Sequence, residues 1–170
     1  TGKTSREIFE IREKWGQLHS HDFLTVGSMG HCSSIALGIA LAKPNKKVIC
    51  IDGDGALIMH MGSLSTISKL KPKNFYHILI NNQVHESVGG QKTSAKFVDF
   101  SGLVKANGFQ NSYFSDNKEK LKLQINDLIN CSGPNFLEVL VKPGSRDNLG
   151  RPTVSPLENK SSLMKFLQEN

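Results

Sequence analysis

Apolar positions along the chain follow two different periods. Val48-Ile49-Cys50-Ile51 and Tyr76-His77-Ile78-Leu79-Ile80 are short runs rich in β-forming side chains, the pattern of strands covered on both faces. Between them Leu57, Met61, Leu64 and Ile67 recur at helical spacing, and Pro72 closes the segment. Strand, helix, strand in that order predicts a parallel pair joined by a right-handed crossover.

The alternation continues on both sides. Met29, Ile35 and Ile39, with the small residues Ala36, Gly38 and Ala40, predict a tightly packed helix ending before Pro44. Residues 98–106 predict a short helix stopped at Asn107-Gly108, where a left-handed residue can end it. Residues 110–114 predict a strand, and Asp116 with Glu119 makes a variant of the capping box for a helix carrying Leu121, Ile125 and Leu128. A further strand is expected over 136–141, just after Pro134. Near the start, residues 4–15 read as a helix with Ile8, Ile11 and Trp15 on one side and Thr4 as its cap. Residues 142–159 hold three of the six prolines and read as an ordered arm before a short terminal helix. Together these units predict one three-layer α/β/α domain over 1–170 with a mostly parallel central sheet, the segment 142–170 belonging to the same domain.

Composition narrows the classes. A chain of 170 residues with 38% hydrophobic residues can bury one ordinary core without a disulfide or structural zinc. Cys32, Cys50 and Cys131 are far apart and form no CxxC pair, which points to a reducing compartment. No apolar run approaches the roughly 20 residues of a membrane span, and no signal-like segment opens the chain, so a cytoplasmic location without membrane contact is expected. The first residue is not Met, as expected of a fragment, an excised domain or a processed subunit. The net charge is +6, with modest lysine clusters at 43–47 and 69–73. Scattered lysines of this kind predict solvated helix ends, not a nucleic-acid surface, and they are compatible with a small anionic substrate.

The densest chemical signal is Asp52-Gly53-Asp54-Gly55, placed after one strand and before a helix. Ligands of open α/β sheets bind beyond the carboxyl ends of strands. Gly53 and Gly55 let a ligand approach the backbone, and a helix start offers N–H groups to phosphate oxygens. Asp54 has the wrong charge to face a phosphate alone, a conflict that a bridging Mg²⁺ resolves. Asn81-Asn82 follows the next strand; neighbouring strands would bring an amide oxygen to the same crevice without adding negative charge, although two Asn after a strand are also an ordinary turn.

With GDG at 53–55, NN at 81–82 and 25 residues between, the chain resembles the diphosphate-binding domain of thiamine diphosphate enzymes. The resemblance implies thiamine diphosphate and Mg²⁺ as cofactors. It implies Asp54, Asn82 and the backbone carbonyl of Val84 as metal ligands, and it places the cofactor against Gly27, Ser28, Met29, Gly53, Asp54, Gly55, Ala56, Asn82 and Val84. The position of Val84 is often Gly in that family, a departure that matters little if only its carbonyl is used. Met29 would support the bent cofactor between its rings, as suits an unbranched, adaptable side chain. GSMGHCSSIALGIAL, IDGDGALIMHMGSL, NNQVHESVGGQKT and LGRPTVSP are similar, more narrowly, to the phosphonopyruvate decarboxylases. That likeness implies conversion of 3-phosphonopyruvate to phosphonoacetaldehyde and CO₂ in phosphonate biosynthesis. Alternatives are a sulfopyruvate decarboxylase β subunit, another 2-oxo acid decarboxylase, or a non-catalytic cofactor-binding α/β module.

In the family, a glutamate that activates the cofactor comes from a separate pyrimidine-binding domain, and no residue here takes that role. Glu86 stands on the diphosphate side in motif order. A pyrimidine-binding domain or subunit, in a homo- or hetero-oligomer, is therefore expected as partner. His31 and His85 are candidates for catalytic proton transfer, and His60 for packing or orientation. Lys92, Arg146 and Arg151 are candidates to meet a phosphonate. His19 and His21 have metal-pair spacing, but HSHD equally describes a turn. Gly2-Lys3-Thr4 lacks the glycines of a P-loop, and GSMGHC is not a GxGxxG dinucleotide motif.

Overall fold

The computed structural model describes residues 1–169. In chain order its elements are α1 (Gly2–Trp15), α2 (Cys32–Ala42), β1 (Val48–Gly53), α3 (Asp54–Met59), α4 (Ser63–Leu70), β2 (Phe75–Asn81), β3 (Val84–His85) and β4 (Gln91–Lys92). There follow α5 (Phe100–Asn107), β5 (Asn111–Ser115), α6 (Lys118–Asn130), β6 (Asn135–Leu140) and α7 (Pro156–Glu169). The chain divides into two compact units: Met29–Pro143, and the two ends of the chain, 1–28 with the residues from Gly144 on. No helix among the described residues is long and apolar enough to cross a membrane.

In the central unit, β1, β2, β6 and β5 form a parallel four-stranded sheet in that order. Side chains alternate across it. Phe75 and Leu79 of β2 join the larger core, built with Leu37 of α2, Leu57 of α3, Ile67 of α4 and Phe100 of α5. Tyr76, Ile78 and Ile80 pack on the opposite face, with Leu121 and Leu128 of α6. Helices thus cover both faces, giving the expected three-layer α/β/α arrangement. Near the lower end of β1, the Asn74 side-chain amide donates to the carbonyls of Ala40, Lys43 and Lys46 at 3.1, 3.0 and 2.7 Å, tying the end of α2 to the strand entry.

Several local expectations are corrected. The helix expected between β1 and β2 is two helices. His60 leaves helical geometry at φ −136°, and turn bonds from His60 N to Leu57 O, Ser63 N to His60 O and Leu64 N to Met61 O replace the i to i−4 ladder. Leu57 and Leu64 lie seven residues apart and both reach the core across the break, so apolar spacing alone does not reveal it. The N-cap of α6 is Asn117, whose side chain accepts from Lys120 N at 2.9 Å; it is not Asp116. The N-cap of α1 is Thr1, not Thr4, and Trp15 is 65% exposed while Phe9 is buried. By contrast, α5 ends as expected, with Gly108 at φ 93°.

In the unit of the chain ends, the arm before α7 is anchored on α1. Arg146 donates to Glu7 and Glu10 at 3.0 and 2.6 Å, Gly150 N donates to Glu10, and Arg6 donates to the carbonyls of Leu149 and Gly150. The Asn159 side chain bonds Leu24 N and the Asp22 carbonyl at 2.8 and 2.9 Å. The terminal helix, α7, runs for 14 residues and is longer than expected.

Candidate functional site

β1 and β2 are paired in parallel with Gly53 opposite Ile80. Asp54 and Asn82 therefore leave the carboxyl ends of adjacent strands, as their spacing implied. Asp54 opens α3 and is 2% exposed; its Oδ2 accepts a 2.5 Å hydrogen bond from the Thr93 hydroxyl. Among the described residues no basic side chain pairs with it. A buried carboxylate held by one hydroxyl is poorly compensated, and a hard divalent cation would supply the missing charge. The Asn82 amide closes a small turn, its Oδ1 accepting from Val84 N at 3.2 Å and its Nδ2 donating to Glu86 at 3.5 Å. The carbonyl oxygen of that amide retains a second lone pair for a metal. Hence a buried carboxylate and a neutral amide oxygen stand at adjacent strand ends, a hard-donor chemistry that suits Mg²⁺. Beside it, no atom lies within 4 Å of where a Gly53 Cβ would stand, so the end of β1 is open.

The segment after Asn82 folds back as the β3–β4 hairpin, with Gly89 and Gly90 at positive φ in its turn and Thr93 N bonded to Gln83 O at 2.9 Å. This return brings Thr93 to Asp54. It also lays the His85 ring on the first turn of α3: a Cβ on Gly55 would stand 2.4 Å from His85 Cε1. Gly55 is thus needed for close approach of a side chain. At the C-terminal end of α3, the ring of exposed His31 lies 4.3 Å from that of His60. Gly30, at φ 91°, sits where a Cβ would fall 2.3 Å from His60 Cδ2 and 2.9 Å from the Ala56 carbonyl. His85 therefore lies against the first turn of α3 and His31 against His60 at its end, His60 packing on Gly30 and the His31 ring. Met29 is half-buried at the start of this unit. Gly27 and Ser28 end the segment before it with φ of 69° and 48°, and the Gly27 carbonyl accepts from the Thr1 hydroxyl.

Other candidates separate. Lys92 is exposed on the hairpin opposite Val84, and Arg151 is exposed. Arg146 is engaged by Glu7 and Glu10. His19 pairs with Glu13 and stacks on Phe9, while the ring of His21 lies against Phe166, so the two form no metal pair.

Sequence reasoning missed three features. Thr93 lies 39 residues from Asp54 and is found only through the hairpin. Glu138, on β6, is buried inside the sheet and its Oε1 accepts from Asn81 Nδ2 at 2.7 Å. Burial pushes its carboxyl above the usual range, partly opposed by the Asn81 bond. The Asn81 Oδ1 accepts in turn from Gln83 N at 3.2 Å, so Glu138 braces the loop that carries Asn82. A period-two strand pattern with one Glu was the available signal. Finally, Cys50, Asp52 and His77 share one face of β1 and β2 and are buried together, with donor atoms within 4.8 Å of one another.

Taken together, these features set a buried carboxylate and an amide at the carboxyl ends of adjacent parallel strands, the edge at which open α/β sheets bind ligands. Residues 1–139 match the family model of the thiamine pyrophosphate enzyme C-terminal TPP binding domain. The chain belongs to that family. It is 35% identical over 167 residues to a phosphonopyruvate decarboxylase of Streptomyces viridochromogenes, covering 98% of this chain and 41% of the relative. It is 32% identical over 168 residues to a sulfopyruvate decarboxylase subunit beta of Methanothermobacter thermautotrophicus, covering 99% of this chain and 83% of the relative. More distantly, it is 26% identical over 153 residues to the acetolactate synthase isozyme 2 large subunit of Escherichia coli. The domain is thus related to both phosphonopyruvate and sulfopyruvate decarboxylases, and it spans about two fifths of the length of the former.

Proposed function

We propose that this domain is the diphosphate-anchoring part of a thiamine diphosphate- and Mg²⁺-dependent decarboxylase that converts 3-phosphonopyruvate to phosphonoacetaldehyde and CO₂. The observation that carries the reading is the placement of buried Asp54, paired with no basic side chain among the described residues, beside the strand end that leads to Asn82. Asp54, Asn82 and the Val84 carbonyl would hold Mg²⁺ against the diphosphate, with the open space at Gly53 admitting it. The bound cofactor supplies the electron sink that a 2-oxo acid needs to lose CO₂, since ordinary side chains are poor sinks. Thr93 orients the Asp54 carboxylate, and Met29 would lie beneath the cofactor. His85, seated on Gly55, and His31, packed on His60, would hold or pass a proton. Lys92 offers a cation to the anionic end of the substrate. The activating glutamate would come from a pyrimidine-binding domain or subunit.

A second reading, the β subunit of a sulfopyruvate decarboxylase, is favoured by coverage: the chain spans 83% and 86% of two such subunits. Sulfonate and phosphonate share tetrahedral oxygens and differ in charge, so the two readings predict the same anchor. A competition assay on the assembled enzyme with phosphonopyruvate, sulfopyruvate and pyruvate separates them, aldehyde being measured directly. Preference for phosphonopyruvate is expected. Preference for sulfopyruvate would select the second reading, and preference for pyruvate would reject both.

A further inference from the structure

The anchor leaves one group of reactive side chains unused. Cys32 is the first residue of α2 and Cys50 lies in β1, 18 positions later, yet their sulfurs are 3.5 Å apart. Cys50 is buried, whereas Cys32 is only partly so. Beside Cys50, His77 is fully buried with neither ring nitrogen hydrogen-bonded, and its Nε2 lies 3.7 Å from Asp52 Oδ2. Buried imidazole nitrogens without partners are costly and call for a role. We propose that Cys32 and Cys50 form an oxidation-sensitive dithiol that hydrogen peroxide converts into an intramolecular disulfide.

The two thiols have different parts. The Cys50 thiol donates toward the Cys32 sulfur, which holds Cys32 below the usual thiol range and pushes Cys50 well above it. Cys32 is therefore the more nucleophilic sulfur and the one nearer to solvent. Its attack on the peroxide forms a sulfur–oxygen bond as the O–O bond breaks, leaving a sulfenic acid and water. The Cys50 sulfur then displaces the hydroxyl from Cys32 as a second water, while its proton passes to His77 and returns to the departing oxygen. In sum, two thiols and one hydrogen peroxide give one disulfide and two waters. The sulfurs must close from 3.5 Å to about 2.05 Å. That closure would tie the first turn of α2 to the strand that ends at Asp52-Gly53, next to Asp54. Cys131 is exposed and serves as an internal control: its environment offers no second cysteine, so solvent access alone would favour it.

The test is thiol counting and peptide mapping of the whole chain after brief exposure to limiting hydrogen peroxide. The expected result is a fall from three free thiols to one, a loss of two hydrogen atoms in intact mass, and a dithiothreitol-reversible peptide joining Cys32 to Cys50. A Cys131→Ser chain should behave alike. A Cys50→Ser chain that folds should instead stop at the sulfenic acid on Cys32, trapped by dimedone. Oxidation confined to Cys131, or over-oxidation of Cys32 with Cys50 still free, would overturn the proposal. Zinc retained in equal amount to the wild-type chain, with Cys50 unreactive, would overturn it too, by making Cys50, Asp52 and His77 a metal site.

Discussion

Gly53 and Gly55 sit two residues apart and respond oppositely to an added methyl group. At Gly55 the new Cβ would stand 2.4 Å from the His85 ring, at Gly53 it would meet nothing within 4 Å, and Gly53 has an ordinary extended φ of −97°. Gly55→Ala should lower stability by about 1–3 kcal/mol through overpacking and shift the His85 ring resonances. Gly53→Ala should change urea stability by less than about 0.5 kcal/mol while weakening cofactor binding, because it fills space left for a ligand. Equal stability losses in the two variants would refute this division. Glu138 offers a pH test. Its carboxyl is raised by burial, so the folded state holds the proton more tightly than the unfolded one. Stability should therefore fall as pH rises from the ordinary Glu range through the raised value. Glu138→Gln should flatten this fall in urea titrations from pH 4 upward while keeping an oxygen for Asn81. An unchanged slope would mean that Glu138 titrates normally.

Among residues, those whose placement was legible were marked by sequence position at a strand end. Asp54 and Asn82 follow apolar runs whose parallel pairing follows from the crossover. Thr93 and Glu138 carry no such mark. One is delivered by a hairpin whose register depends on Gly89 and Gly90, and the other is a buried charge in a strand that pattern alone treats as apolar.

Elements were most legible where apolar period and stop signals agreed. β1 and β2 extend their expected runs by one or two residues at an end, and Gly108 ends α5. The break between α3 and α4 escaped notice because seven residues from Leu57 to Leu64 keep both side chains on one side whether or not the ladder continues. At α6 the cap assignment yields a clean comparison. Asn117→Ala should cost about 1 kcal/mol in chemical denaturation, the usual loss of a cap, and Asp116→Ala less than about 0.5 kcal/mol. The reverse order would restore Asp116 as the cap.

For the whole molecule, the fold class was readable because repeated strand–helix units admit few arrangements, whereas the substrate was not. The cationic candidates for the anionic end of a substrate carry no mark of it: Lys92 and Arg151 are exposed, and Arg146 is engaged by Glu7 and Glu10. A pyrimidine-binding partner should raise decarboxylation from background to an ordinary enzymatic rate; turnover at that rate by the isolated chain would mean the activating glutamate is not needed from outside. Whether Asp54 anchors the cofactor through Mg²⁺ is decided by calorimetric titration of thiamine diphosphate into the assembled enzyme with and without Mg²⁺, comparing wild type with Asp54→Asn. Loss of a metal ligand should cost at least as much as the roughly 10–100-fold seen for outer-sphere changes, so binding should be Mg²⁺-dependent in the wild type and weaken about 100-fold in the variant, with an unchanged circular dichroism spectrum. Wild-type affinity and Mg²⁺ dependence in a folded Asp54→Asn enzyme would contradict it.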